Sequence, residues 1–197
     1  MSLRVIITRT AVWLVAIGAG IYAGGESAWL MTGKTSAAAQ IHDGQWMTPA
    51  KVGDAKAGPY MRASVARTGI WALPPSEVIY YSAETDSEGK ALTNACRYVV
   101  EGGEVPARWW SITLYRDNFW VANPGDRYSV AKTNIKAQAD GTWTINVNRM
   151  GEGENAIPMC DKAGHFDLAL RLYHPAANVF AERATIKLPV VRRLSCA

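Results

Sequence analysis

The chain has few of the residues from which metal and redox sites are built. It contains three histidines and three cysteines, and it has no Cys-x-x-Cys motif and no His-x-x-x-His motif. His165 and His174 begin and end one predicted strand, about 30 Å apart at ~3.3 Å per residue. We therefore predict neither a metal site nor a cofactor.

Signatures of catalysis are also missing from the sequence. It has no Gly-x-Ser-x-Gly elbow, and Gly151-Glu152-Gly153 lacks the lysine and the following helix of a phosphate loop. Asp126 and Asp167 are the best-placed carboxylates, and alternation predicts a surface ion pair between Asp167 and Arg171. No carboxylate pair of the glycosidase type is identifiable. We predict no catalytic residue and favour a protein that is not an enzyme.

Charge is low and spread along the chain. The 21 basic and 17 acidic residues give a net charge of +4, and no basic stripe is visible, which argues against a nucleic-acid partner. Apolar residues make up 49% and charged residues 19%, which excludes a disordered chain. Only one long apolar run is present, which excludes a polytopic membrane protein.

That run lies at the N-terminus. Residues 1–31 predict an uncleaved transmembrane anchor that contacts inner-membrane lipid through residues 3–31, with Trp13 and Trp29 near the two interfaces. Arg4 and Arg9 precede the apolar part, so we expect the N-terminus in the cytoplasm and the body in the periplasm of a Gram-negative bacterium. The alternative is a cleaved signal peptide that releases a soluble periplasmic form.

The rest of the chain divides into a linker and a β domain. Residues 32–57 are rich in small residues and predict a stalk that touches the body through Trp46. The β domain covers residues 58–197 and starts with a short helix over Pro59–Thr68.

After this helix, apolar residues alternate with polar ones in seven or eight short segments, of which Arg108–Arg116 is the clearest. Another begins at Phe166, and the last is expected over Ile186–Val190. The pattern predicts a mainly β fold, an antiparallel β-sandwich or jelly roll, with one N-terminal transmembrane helix and a short helix before the sheet.

Four segments resemble one bacterial family. Arg108–Tyr115, Ala122–Ser129, Asp140–Ile145 and Phe166–Pro175 are similar, in order and spacing, to the family labelled domain of unknown function 1214. The resemblance covers about residues 77–190 and implies an all-β jelly roll. It also implies a short, membrane-anchored form without the companion N-terminal domain. The family brings no established activity.

The three cysteines predict one disulfide in an exported domain. Cys96 and Cys160 each lie beside a predicted strand, whereas Cys196 is the penultimate residue, where chains fray. We expect a Cys96–Cys160 bond; the alternative is three free thiols.

Two groups of residues are candidates for binding. The first is a polar edge where aromatic rings stack on a sugar or peptide, formed by the loop with Asp126, Arg127 and Tyr128 together with Trp120. The alternative for this loop is a tight turn with local hydrogen bonds. Trp109 and Tyr115 share one strand face. They form either an exposed aromatic platform or a surface covered by the Pro59–Thr68 helix.

These observations favour a membrane-anchored periplasmic interaction module. It would be a non-catalytic accessory subunit of an inner-membrane complex or an envelope-binding domain, with a membrane protein or a glycan as its partner. The alternative is a periplasmic enzyme acting on an envelope glycan or small molecule through the Asp126–Tyr128 loop.

Overall fold

The computed structural model describes residues 3–38, 40–49, 51–67, 72–123, 125–159, 164–177, 179 and 186–196. These residues form two helices and eleven strands. The elements are α1 (Leu3–Ala38), β1 (Gln40–Asp43), β2 (Trp46–Pro49), α2 (Pro59–Arg67), β3 (Val78–Ala83), β4 (Cys96–Gly102), β5 (Ala107–Arg116), β6 (Phe119–Trp120), β7 (Ser129–Ala131), β8 (Trp143–Asn148), β9 (Ile157–Pro158), β10 (Asp167–Pro175) and β11 (Val190–Cys196).

The strands form two sheets. In the larger sheet the order is β1-β2-β3-β10-β5-β6, and β7 also pairs with β5; in the smaller sheet it is β11-β4-β8-β9. All pairs are antiparallel except β8 with β9. The predicted mainly β fold, with an N-terminal apolar helix and a short helix before the main strands, is confirmed.

One core lies between the two sheets because each central strand turns alternate apolar side chains inward. On β5 these are Trp110, Ile112 and Leu114, all buried. The ring of Trp110 stacks on Trp143 of β8, with 4.7 Å between the centroids. Gly102 of β4 pairs with Trp143, and a Cβ at Gly102 would lie 2.4 Å from that ring. Only glycine therefore fits beneath the indole.

Helix α1 is exposed along its apolar length. Its segment Arg4–Gly33 is long and apolar enough to cross a membrane, since 30 residues at ~1.5 Å each exceed a hydrocarbon core of about 30 Å. A signal sequence would satisfy the same criterion. The helix continues to Ala38, beyond the anchor boundary predicted at residue 31.

The stalk predicted over residues 32–57 is corrected by the structure. Strands β1 and β2 form a hairpin, and Met47 of β2 pairs with Ser82 of β3, which joins the hairpin to the larger sheet. Trp46 is only 1% exposed, and its Nε1 donates a hydrogen bond to the Pro189 carbonyl oxygen, 2.6 Å away. Trp46 therefore contacts the body as predicted, but it does so from a hairpin of the larger sheet rather than from a linker.

The predicted Cys96–Cys160 disulfide is also wrong. Cys96 is bonded to Cys196, because the last strand is β11, not Ile186–Val190, and its register on β4 places these two residues opposite each other. Despite a register irregularity between Arg193 and Ser195, Cys196 pairs with Cys96, so the penultimate residue belongs to the sheet. Cys160 lies outside the described residues.

Candidate functional site

An open cleft of about 640 Å³ lies over the outer face of the larger sheet, opposite the core. We call it the aromatic groove. It brings together five of the six residues predicted to bind. Its lining residues are Thr113, Tyr115, Trp120, Asp126, Arg127, Tyr128, Ser129, Asn134, Arg171 and Tyr173.

Trp109, the sixth predicted residue, lies beside the groove rather than in its lining. Its ring meets the edge of Tyr173, with 5.0 Å between centroids. The two residues are partners in the β5–β10 register. Trp109 therefore supports a lining residue from the neighbouring strand.

The tight β5–β6 hairpin positions Trp120. Asp117 and Asn118 have φ values of 51° and 66°, as a two-residue hairpin turn requires. This turn folds β6 back so that Trp120 is directly opposite Tyr115. Asp and Asn tolerate this backbone region better than most residues because their side chains bond locally.

Three contacts fix the aromatic rings of the groove. The Trp120 Nε1 donates to the Tyr115 hydroxyl at 2.9 Å, and the Trp120 ring stacks on Tyr128 with 5.4 Å between centroids. The Tyr128 hydroxyl donates to Asp126 Oδ1 at 2.8 Å, and this bond raises the pKa of Tyr128. Trp120 nevertheless remains 63% exposed, so its ring is ordered but open to a ligand.

The loop before Tyr128 is organised mainly by Asn123. The Asn123 Oδ1 accepts the Arg127 backbone N–H at 3.0 Å, and its amide donates to the Arg127 carbonyl oxygen at 3.2 Å. The Arg127 guanidinium donates to the Gly151 carbonyl oxygen at 2.9 Å. The tight turn with local hydrogen bonds is thus made, with Asn123 bonding the turn amides, and the same loop places Asp126, Arg127 and Tyr128 in the lining of the groove.

Helix α2 contacts α1. The Arg67 guanidinium lies 3.4 Å from the centroid of the Trp29 ring and donates to the Trp29 carbonyl oxygen at 3.0 Å. These contacts place the C-terminal end of α2 against α1. The described lining of the aromatic groove includes Tyr115 but no residue of α2. Trp109 and Tyr115 are both half-buried, so neither alternative, an exposed platform or a surface covered by the helix, is met in full.

The structure corrects the environment of Arg171. Its Nη1 donates to Thr113 Oγ1 at 3.3 Å and its Nη2 to the Tyr115 hydroxyl at 2.7 Å. Within the described ranges it forms no ion pair at 4 Å or less, so the predicted pair with Asp167 is not made. Burial, and then the charge of Glu84, raise the pKa of Asp167 to about 6. Arg171 is not predictable as a groove residue from the sequence, because its hydrogen-bond partners come from a strand more than 50 residues away.

A second cleft of about 300 Å³ lies beside the Cys96–Cys196 disulfide. Its polar lining includes Arg97, Arg149 and Glu152, and its lining contains no aromatic side chain. In the part of the chain that the structure describes, no three His, Cys, Asp or Glu side chains are placed to hold a metal ion. The aromatic groove is therefore the better candidate site.

Comparison with known proteins gives a family and a fold. The family model described as "Protein of unknown function (DUF1214)" matches residues 77–177, in agreement with the resemblance of the four segments. No curated protein matches the sequence.

Two solved structures are similar. The VPA0106 protein from Vibrio parahaemolyticus is 24% identical with a TM-score of 0.58, and the match covers 69% of this chain and 35% of that one. An uncharacterised protein from Burkholderia cenocepacia is 16% identical with a TM-score of 0.45, covering 60% and 30%. The chain thus spans about a third of the length of these structures, and the first likeness supports the fold alone.

Proposed function

This chain belongs to the family described as protein of unknown function DUF1214, and from that premise we propose that it is a membrane-anchored, non-catalytic envelope-binding domain. Its aromatic groove would bind a glycan of the bacterial envelope. The observation that carries the proposal is the convergence of Tyr115, Trp120, Tyr128 and Tyr173 on one open cleft.

The chemistry of this cleft suits a sugar. One face of a pyranose ring carries aliphatic C–H groups, which pack on the electron-rich face of an aromatic ring. The hydroxyls of the sugar need hydrogen-bonding groups around that ring, and Asp126, Ser129 and Asn134 provide them at the groove. The volume of about 640 Å³ lies within the range of about 300–1,000 Å³ typical of small-molecule sites.

Binding is better supported than hydrolysis. A glycosidase needs two carboxylates, about 5–9.5 Å apart, on either side of the scissile bond. Among the described lining residues, Asp126 is the one carboxylate. Asp167, whose pKa is raised to about 6, is outside that lining. The enzyme alternative therefore lacks its second group in the groove.

The proposed location is the inner membrane, with α1 as a single span and the β domain in the periplasm. The support is the apolar length of Arg4–Gly33 and the position of Arg4 and Arg9 toward the cytoplasmic end. The same span would suit an accessory subunit of a membrane complex. Isolation in mild detergent separates the two roles, since an accessory subunit would migrate in a stoichiometric larger assembly.

The function is tested with the full-length protein in mild detergent. Binding of peptidoglycan fragments and lipopolysaccharide core oligosaccharides is measured by calorimetry for the wild type and for Trp120→Ala and Tyr128→Ala. We expect about a tenfold or greater loss of affinity in each variant, because each removes a stacking ring.

Phe119→Ala is the matched control. Phe119 precedes Trp120 on β6 and is more exposed, at 76% against 63%, but it is not part of the groove lining. Its variant should bind as the wild type does. Absence of binding by the wild type, or equal losses in Phe119→Ala and Trp120→Ala, would contradict the proposal.

A further inference from the structure

Arg171 is a positive charge on the floor of the aromatic groove. It lies on β10, between β3 and β5 in the larger sheet, and its side chain lines the groove. Within the described residues it donates two hydrogen bonds, to the hydroxyls of Thr113 and Tyr115, which are neutral acceptors. A guanidinium has five N–H donors, so three of them make no hydrogen bond within the described part of the chain.

The charge of Arg171 is not balanced by an ion pair of 4 Å or less within the described residues. Asp167 is on the same strand face, but its raised pKa is caused first by burial and then by Glu84, and the opposing effect of Arg171 is smaller. A charge partly removed from water is costly unless an opposite charge approaches it. The guanidinium also lies 5.2 Å from the centroid of the Tyr115 ring, a contact that leaves its charge in place. An anion that enters the groove would therefore be attracted to Arg171.

A second guanidinium adds to this bias at the edge of the groove. Arg127 donates to the Gly151 carbonyl oxygen and, in the described part of the chain, likewise forms no ion pair. The carboxylate of Asp126 already accepts the Tyr128 hydroxyl. Two guanidinium groups against one carboxylate leave the lining with an excess positive charge.

From this arrangement we infer that the ligand of the groove is an acidic sugar, one whose carboxylate is held by Arg171 while its ring stacks on the neighbouring aromatic side chains. A planar guanidinium can bind a carboxylate through two parallel N–H···O bonds, which fixes both position and orientation. Tyr115 and Thr113 hold the guanidinium in place before the ligand arrives. This inference rests on the proposed function and specifies its ligand class.

The test uses sugars that differ only in the acidic group. Digalacturonate is compared with α-1,4-galactobiose, and N-acetylmuramic acid with N-acetylglucosamine, on the full-length protein in mild detergent. We expect the acidic member of at least one pair to bind at least tenfold more tightly, with an affinity that falls as salt concentration rises. Arg171→Gln should abolish this preference. Arg171→Lys should weaken it, because lysine keeps the charge but cannot form the two parallel N–H···O bonds of a guanidinium.

Arg192→Gln is the matched control. Arg192 pairs with Glu101 on the exposed face of the smaller sheet, so its loss should leave the preference intact. A urea unfolding curve for each variant shows whether it is folded.

The other outcomes separate a failure of this inference from a failure of the proposed function. Equal binding of acidic and neutral sugars would overturn the inference and leave glycan binding standing. Inorganic phosphate that competes as well as the acidic sugar would also overturn it, because the site would then be a general anion site. Failure of every sugar, together with failure of the envelope fragments, would overturn the proposed function itself.

Discussion

Removing the Cys96–Cys196 disulfide should destabilise the β domain strongly. The bond joins residues 100 positions apart, so in the chain-entropy model it stabilises the fold by about 4.7 kcal/mol. With a urea dependence of about 2 kcal/mol per molar, Cys196→Ser should lower the unfolding midpoint by about 2 M. Reduction of the wild type should produce the same shift, since both changes open the same loop.

The assay is urea unfolding of the full-length protein in mild detergent, followed by tryptophan fluorescence with and without reductant. Cys160→Ser is the control, because it leaves the Cys96–Cys196 bond in place and should keep the wild-type midpoint and its response to reductant. The double variant Cys160→Ser/Cys196→Ser excludes rescue by a new bond between Cys96 and Cys160. The reasoning would be refuted if Cys160→Ser, rather than Cys196→Ser, abolished the response to reductant.

Two further predictions concern the hairpin and the half-buried carboxyl group of Asp167. Trp46→Ala should lower the free energy of unfolding by about 3–5 kcal/mol. Trp46→Phe should lower it by about 1–2 kcal/mol, because the hydrogen bond to the Pro189 carbonyl oxygen is lost. An unchanged urea midpoint for Trp46→Ala would contradict the packing of this indole. Burial and Glu84 raise the pKa of Asp167 from 3.8 to about 6, so the folded state binds this proton more tightly than the unfolded state, and stability should fall as pH rises from about 4 to about 6. Asp167→Asn should remove this dependence of stability on pH. Above pH 6 it should be more stable than the wild type by about 1–2 kcal/mol after solvent screening. Urea unfolding of both proteins from pH 4 to pH 8 tests this, and free energies of unfolding that change in parallel with pH would refute it.

The features that could be predicted are those encoded within a few residues. Alternation along β5 separates Trp110, which faces the core, from Trp109 and Tyr115, which face outward. The Asp117-Asn118 pair likewise indicates a turn after β5, because these two residue types favour tight turns. Five predicted binding residues meet in one groove because four of them, from Trp120 to Tyr128, follow β5 closely in sequence.

The features that could not be predicted depend on which strands become neighbours. Arg171 approaches Tyr115 only because β10 inserts between β3 and β5, a pairing across 56 residues. The hairpin at Trp46 is too short for its alternation to stand out, and its anchor at Pro189 lies 143 residues away. The expectation that chain ends fray favours Cys96–Cys160, and it fails here because the last residues pair as a strand.

The connection between α1 and the β domain limits where the groove can point. The helix ends at Ala38 and β1 begins at Gln40, and Arg67 of α2 contacts Trp29 of α1. A domain on a long flexible linker sweeps a wide volume and meets ligands at many heights. If α1 is embedded in a membrane, it would instead hold this groove at a fixed distance from the lipid surface and in a fixed orientation. The groove would then reach only a thin layer next to the membrane, and a polymer would have to pass through that layer to bind it.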